Sequence, residues 1–189
     1  TASSNGRALK IFNGNGNGDF TESFSHQLTA TDQEQVTLAV GDINNDGFVD
    51  LAVGVLASTN IIIEVLLGNG AGSFSPTDSY SLAGTIQDRV AVPIQIGRFD
   101  ADEFNDLLVV RSNGQTSVLT PFWGSANALP TEGQSTSLAI PARGFDTGDV
   151  TGDGRLDLVL AGFKAPVGGG ISLLEGAICE DEGTDDGDS

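Results

Sequence analysis

Gly41-Asp42-Ile43-Asn44-Asn45-Asp46-Gly47-Phe48-Val49-Asp50-Leu51 sets four oxygen-bearing side chains at regular intervals in one short stretch. Asp42, Asn44, Asp46 and Asp50 fall at the first, third, fifth and ninth positions of a loop. Phe48, at the seventh, adds a main-chain carbonyl, and Gly47, at the sixth, permits a sharp turn. Calcium takes about six to eight oxygens at about 2.3–2.6 Å, and a short loop can wrap it in this way. Position twelve, where a helical calcium loop carries glutamate, is Val53 inside an apolar run. The stretch therefore reads as an aspartate loop between β-strands, not as part of a helix pair.

The loop recurs. A shift of 56 residues carries 50–67 onto 106–123, and a shift of 107 carries it onto 157–174, without gaps. The third copy offers Asp149, Thr151, Asp153, the Arg155 carbonyl and Asp157, with Gly154 at the turn. The second departs: Arg98 takes the first position, followed by Asp100, Asp102, Glu103, Phe104 and Asp106. Two readings stay open for it. Asp100, Asp102, the Phe104 carbonyl and Asp106 hold an ion, or the Arg98 guanidinium stands in the ion's place. The bland alternative for all three is that the aspartates close turns on their own backbone. Three carboxylates within nine residues, seen twice, weigh against it, because such charges repel without a cation.

Around each loop lie short apolar runs. Residues 51–56, 107–111 and 158–162 follow the loops, and 61–67, 116–122 and 170–174 come next. Runs this short and this rich in branched residues suit strands, not helices. Strands are also expected before each loop, at 35–40, 90–96 and 144–147, and as outer members at 21–28, 74–82 and 134–140. Residues 9–20 match 65–74 if two extra residues are allowed in the glycine-asparagine turn, so the chain opens inside a repeat. The expected units are a partial one at 8–30 and fuller ones at about 33–84, 88–140 and 142–176, with an acidic tail or linker at 179–189. Four strands in roughly fifty residues is the size of a propeller blade, and propellers close with about four to eight. The prediction is an all-β chain of β-propeller blades, each of four antiparallel strands. About three blades plus a partial N-terminal one leave the ring incomplete or completed by another chain.

Composition agrees. The chain is 39% hydrophobic and 18% charged, with 26 glycines and no methionine, which fits a globular β protein. Its net charge of −18 is concentrated: 16 of the 26 acidic residues lie in the three loops and the tail. Nothing here would neutralise phosphates, so nucleic acid is an unsuitable partner. No apolar run is long enough to span a bilayer. A single cysteine, Cys179, excludes an internal disulfide and leaves a free thiol or a bridge to another chain. Thr1 at the start, with no visible leader, predicts a processed or excised piece.

These residues resemble the FG-GAP/VCBS repeat family. Those repeats run Gly-Asp-Phe-Asn-x-Asp-Gly-x-x-Asp-Leu and then a strand pair ending Leu-Leu-Gly-Asn-Gly-x-Gly-x-Phe. Residues 41–51 and 66–74 fit almost position for position. Residues 148–158 also fit, although their second strand ends Leu173-Leu174-Glu175-Gly176, and 97–107 fit apart from Arg98 and Glu103. The resemblance implies an integrin-α-like β-propeller with calcium in the aspartate loops: two ions in the first and third, and a third ion if the second binds. It also implies a secreted or cell-surface protein serving adhesion, glycan binding or as an accessory domain of a secreted enzyme.

Other features read more plainly. The glycine-asparagine stretch 14–20 precedes no helix, so it is a strand-to-strand turn, not a phosphate cradle. His26, the only histidine, lies in what reads as an exposed outer strand, and no catalysis is expected. Trp123 and Tyr80 could stack on sugars, but packing is the simpler role. The expected function is non-enzymatic: a calcium-binding extracellular module for adhesion, structural assembly or protein or glycan binding. Its other partner would be copies of itself, through strand complementation. The alternatives are an accessory domain of a secreted hydrolytic enzyme and a calcium-dependent lectin.

Overall fold

The computed structural model describes residues 8–28, 36–56, 60–83, 93–112, 115–164 and 168–174. Every regular element among them is a β-strand. The tail 179–189, Cys179 and residues 90–92 of one expected strand lie outside the described residues. In chain order the strands are β1 (Ala8–Gly14), β2 (Phe20–Gln27), β3 (Val36–Gly41), β4 (Asp50–Leu56), β5 (Asn60–Gly68) and β6 (Phe74–Ala83). They continue as β7 (Ile94–Gly97), β8 (Asp106–Ser112), β9 (Ser117–Ser125), β10 (Ala128–Glu132) and β11 (Thr136–Leu138). The last are β12 (Ala142–Gly148), β13 (Asp157–Lys164) and β14 (Gly168–Leu174).

Four antiparallel sheets result. β1 pairs with β2; β3 to β6 form a meander; β7 to β9 form the next sheet, with β10 and β11 both joined to β9; and β12 to β14 form the last. Each aspartate loop connects the first strand of a sheet to its second. The sheets pack face to face in chain order, as consecutive propeller blades do. Alternation along β4 shows why. Leu51, Val53 and Val55 turn toward the β1–β2 hairpin and pack near Leu9, Ile11 and Phe24. Ala52 turns the other way, into a cluster with Ile61, Ile63, Val65, Ile94, Leu107 and Phe122. Burying a valine or leucine stabilises by roughly 1.5–3 kcal/mol, and a central strand that buries both faces gains twice over. A third cluster, with Val110, Leu138 and Leu160, joins the last two sheets.

Two expectations need correction. The outer strand expected at 134–140 is instead two pieces, β10 and β11. Asn127 takes φ 52 in a tight turn after β9, so the outer strand starts at Ala128. At the break, the Gly133 N–H donates to the Pro121 carbonyl at 2.9 Å. The second correction concerns the N-terminal match, which needs no extra residues. Gly14 pairs with Phe20 as Gly68 pairs with Phe74, and the register slips between Ile11 and Phe12 as it does between Val65 and Leu66. The β1–β2 hairpin is therefore the structural copy of β5–β6.

Candidate metal centre

The ninth-position aspartates are the most buried charges in the loops: Asp50 is 0% exposed, and Asp106 and Asp157 are 1% exposed. Their oxygens stitch each loop shut. Asp50 Oδ2 accepts from the N–H groups of Ile43 at 2.8 Å and Asn44 at 3.3 Å, while Oδ1 accepts from Gly68 at 2.8 Å. Asp106 does the same with Phe99 and Gly124, each at 2.8 Å. Asp157 Oδ2 takes Val150 at 2.8 Å and Thr151 at 2.9 Å. Gly68 and Gly124 are functional positions that sequence reasoning missed. A Cβ on either would stand 2.0 Å from a loop carbonyl, that of Val49 or Asn105. The available signal was spacing, since each glycine follows its aspartate at the same interval.

The earlier loop positions close turns on the loop's own backbone, and among the described residues only the second loop has its three carboxylates drawn together. Asp42 Oδ1 accepts from Asp46 N–H at 3.0 Å and Oδ2 from Gly47 at 2.9 Å, with Gly47 at φ 89. The Asp46 N–H also reaches Asn44 Oδ1 at 3.2 Å, and Asp46 Oδ1 accepts from Phe48 at 2.8 Å. The third loop repeats this. Asp149 accepts from Gly152, Asp153 and Gly154 at 2.6, 3.1 and 3.0 Å, and Asp153 accepts from Arg155 at 2.9 Å. Thr151 and Arg155 are exposed, and the Arg155 guanidinium lies 4.0 Å from Asp153. In the second loop, Asp100 accepts from Asp102 N–H at 2.9 Å and Asp102 from Phe104 at 2.8 Å.

Backbone turns closed by aspartate are thus present in all three loops. They do not exclude an ion, because an ionised carboxylate has about four acceptor sites and the two or three backbone donors on Asp42, Asp50 and Asp149 leave at least one of them. Carboxylate oxygens of Asp100, Asp102 and Asp106 lie within 4.8 Å of one another, a cluster that could hold a metal. Arg98 does not fill that place: it is exposed and makes no ion pair with these aspartates. Among the described residues, no basic side chain pairs with the aspartates of the first two loops.

Burial sets the electrostatics of these carboxyls. Burial pushes the Asp50 carboxyl above its ordinary 3.8, against the opposing pull of its backbone donors, and the Asp46 charge adds to the rise. Burial likewise raises Asp106, with the Asp100 and Asp102 charges adding to it. Asp100 rises through burial and the neighbouring Asp102. A hard divalent cation would favour the charged forms of all three. The donor set is entirely oxygen, which suits calcium and not a soft metal. At the seventh position, Phe48 and Phe104 have only a main-chain carbonyl to offer.

The remaining candidates face inward. His26 is not exposed as its flanks suggested; its Nε2 lies 3.3 Å from Glu64 Oε2 in the hairpin-to-sheet interface. Tyr80 donates to the Pro130 carbonyl at 2.6 Å and packs against Phe122, ring centroids 4.5 Å apart. Trp123 lies over Gly133, its Nε1 2.3 Å from where a Cβ would be.

Two family models match the chain. One, described as an FG-GAP-like repeat, covers residues 1–53, and one described as an FG-GAP repeat covers residues 36–75. No curated protein matches it.

Proposed function

Residues 1–75 match FG-GAP repeat models, and from that premise we propose that the chain is a calcium-binding extracellular FG-GAP repeat module, not an enzyme. The observation that supports this best is the converging carboxylate set of Asp100, Asp102 and Asp106, without a basic partner, in a loop built like its two neighbours. The first and third loops carry the fuller sets: Asp42, Asn44, Asp46, Phe48 and Asp50, then Asp149, Thr151, Asp153, Arg155 and Asp157. Calcium fixes the loop that joins the first two strands of each blade, so its role is structural. Extracellular modules bind calcium with Kd of about 10⁻⁴–10⁻³ M, and the same range is expected here. Calorimetric titration of chelator-stripped protein tests the reading. Two or three sites should fill with calcium; heat from neither calcium nor another divalent cation would sink it.

A binding role for the module has its own support. Leu38 and Val40 on β3 are 51% and 59% exposed. Ile94 and Ile96 hold the equivalent places on β7 and are packed under the preceding sheet, against Gly54 and Gly41. Among the described residues, no strand pair covers Leu38 and Val40 as β3 and β4 cover Ile94 and Ile96. We propose that a protein partner adds strands here, beside β1. Among the described residues no helix is long and apolar enough to cross a membrane.

A further inference from the structure

Two asparagines tie the first aspartate loop to the second. Asn45, at the fourth position of its loop, adopts φ 58. Its Oδ1 accepts from the Asn105 N–H at 2.7 Å, and its Nδ2 reaches the carbonyls of Asn105 and Ser125, each at 3.4 Å. In return, Asn105 Nδ2 donates to the Asp42 carbonyl at 2.9 Å. Both anchor points belong to ligand-bearing peptides. The Asn105 N–H shares its peptide plane with the Phe104 carbonyl, the seventh-position oxygen of the second loop. The Asp42 carbonyl shares its plane with the Ile43 N–H, which Asp50 holds at 2.8 Å. A peptide group is planar, so holding one end aims the other. Each loop therefore orients part of the other's oxygen set.

We propose that the first and second loops bind calcium cooperatively, coupled through the Asn45–Asn105 pair. The inference rests on the calcium reading and deepens it. An ion that orders the first loop holds Asn45 in place and pre-sets the Phe104 carbonyl; an ion in the second holds Asn105 and pre-sets Asp42. Ordering shared in this way lowers the cost of the second binding event. The second and third loops lack the device. Ala101 and Leu156 stand where Asn45 and Asn105 would be, and neither carries an amide. The third loop binds on its own and serves as the internal control.

The test is a calcium titration of the full chain read by the amide resonances of Gly47, Glu103 and Gly154, one per loop. Disabling the second loop with Asp100→Asn and Asp102→Asn should weaken the first by about 5-fold or more, the usual scale of coupling between sites. The third loop should not change. In an Asn45→Gly background, which keeps the left-handed backbone, the same lesion should leave the first loop unaffected. Asn105→Ala, which does not touch that backbone, should uncouple the loops equally. A first-loop midpoint that ignores the second-loop lesion overturns the coupling alone. Coupling that survives Asn105→Ala also overturns it. If no loop titrates, the calcium reading falls, and the coupling with it.

Discussion

Gly68 meets two demands at once. Its N–H must reach Asp50 Oδ1 at 2.8 Å, and its α-carbon must sit under the Val49 carbonyl with no room for a methyl group. Gly68→Ala should therefore cost about 1–3 kcal/mol, in the range of overpacking, and more if the Asp50 bond is lost. Chemical denaturation of metal-free protein would read this directly; a variant as stable as the parent would remove the clasp from the account. Tyr80 offers a second measurement. Burial, with a smaller contribution from the Asp78 charge, pushes its hydroxyl from 10.0 to about 12. The folded state thus holds the proton more tightly than the unfolded one. The stabilisation is complete below pH 10.0 and is lost as pH rises toward about 12. Tyr80 is the only tyrosine, so phenolate absorbance isolates it. A half-point near 10.0 in folded protein would contradict the buried hydroxyl.

At the level of strands and loops, the aspartate spacing and the apolar runs carried most of the fold. The runs after each loop became β4, β8 and β13; β4 and β8 pack into clusters with neighbouring sheets, and β13 joins the last cluster through Leu158 and Leu160. The outer edge was harder to read. β10 and β11 hold few apolar residues, and the Asn127 turn looks like any polar loop, so pattern alone merged them into one later strand. The N-terminal alignment went astray because apolar matching outweighed turn chemistry. Asn15 and Asn69 both accept from N–H groups two and four residues on, which aligns the two turns directly. The His26–Glu64 pair was invisible, since its residues are far apart in sequence and meet only when the hairpin docks. The exposed β3 face gives the element-scale prediction. Val36, Leu38 and Val40 changed together to threonine should leave the monomer's melting temperature within a few degrees. The same change should abolish any self-association seen by sedimentation or capture of a strand-donating partner. Association that persists would move the binding surface elsewhere.

Across the whole molecule, the stacked sheets share their loops along one edge, so an ion in any loop stabilises the blade it belongs to. Calcium at 100 times Kd contributes about 2.7 kcal/mol per site. At roughly 2–4 °C per kcal/mol for a domain of this size, each filled site should raise the melting temperature by about 5–10 °C. Asp42→Asn with Asp46→Asn should remove the first loop's share of that rise. It should leave the calcium-free melting temperature nearly unchanged, because the Asp50 clasp remains. Scanning calorimetry with and without chelator separates the two effects. A large loss in the metal-free state would show that Asp42 and Asp46 carry the fold as well as the ion.

The division of labour within the loop reaches further. Asp106 keeps both backbone partners although Arg98 and Glu103 have replaced the usual residues beside it. Shape is secured at one end of the loop, and on the calcium reading ion affinity would be set mainly at the other. Mutation can therefore erode the first, third and fifth positions without unravelling the strand connection. A chain of such units can accumulate silent and loaded copies side by side, so its dependence on external calcium can drift from unit to unit while its outline is inherited intact.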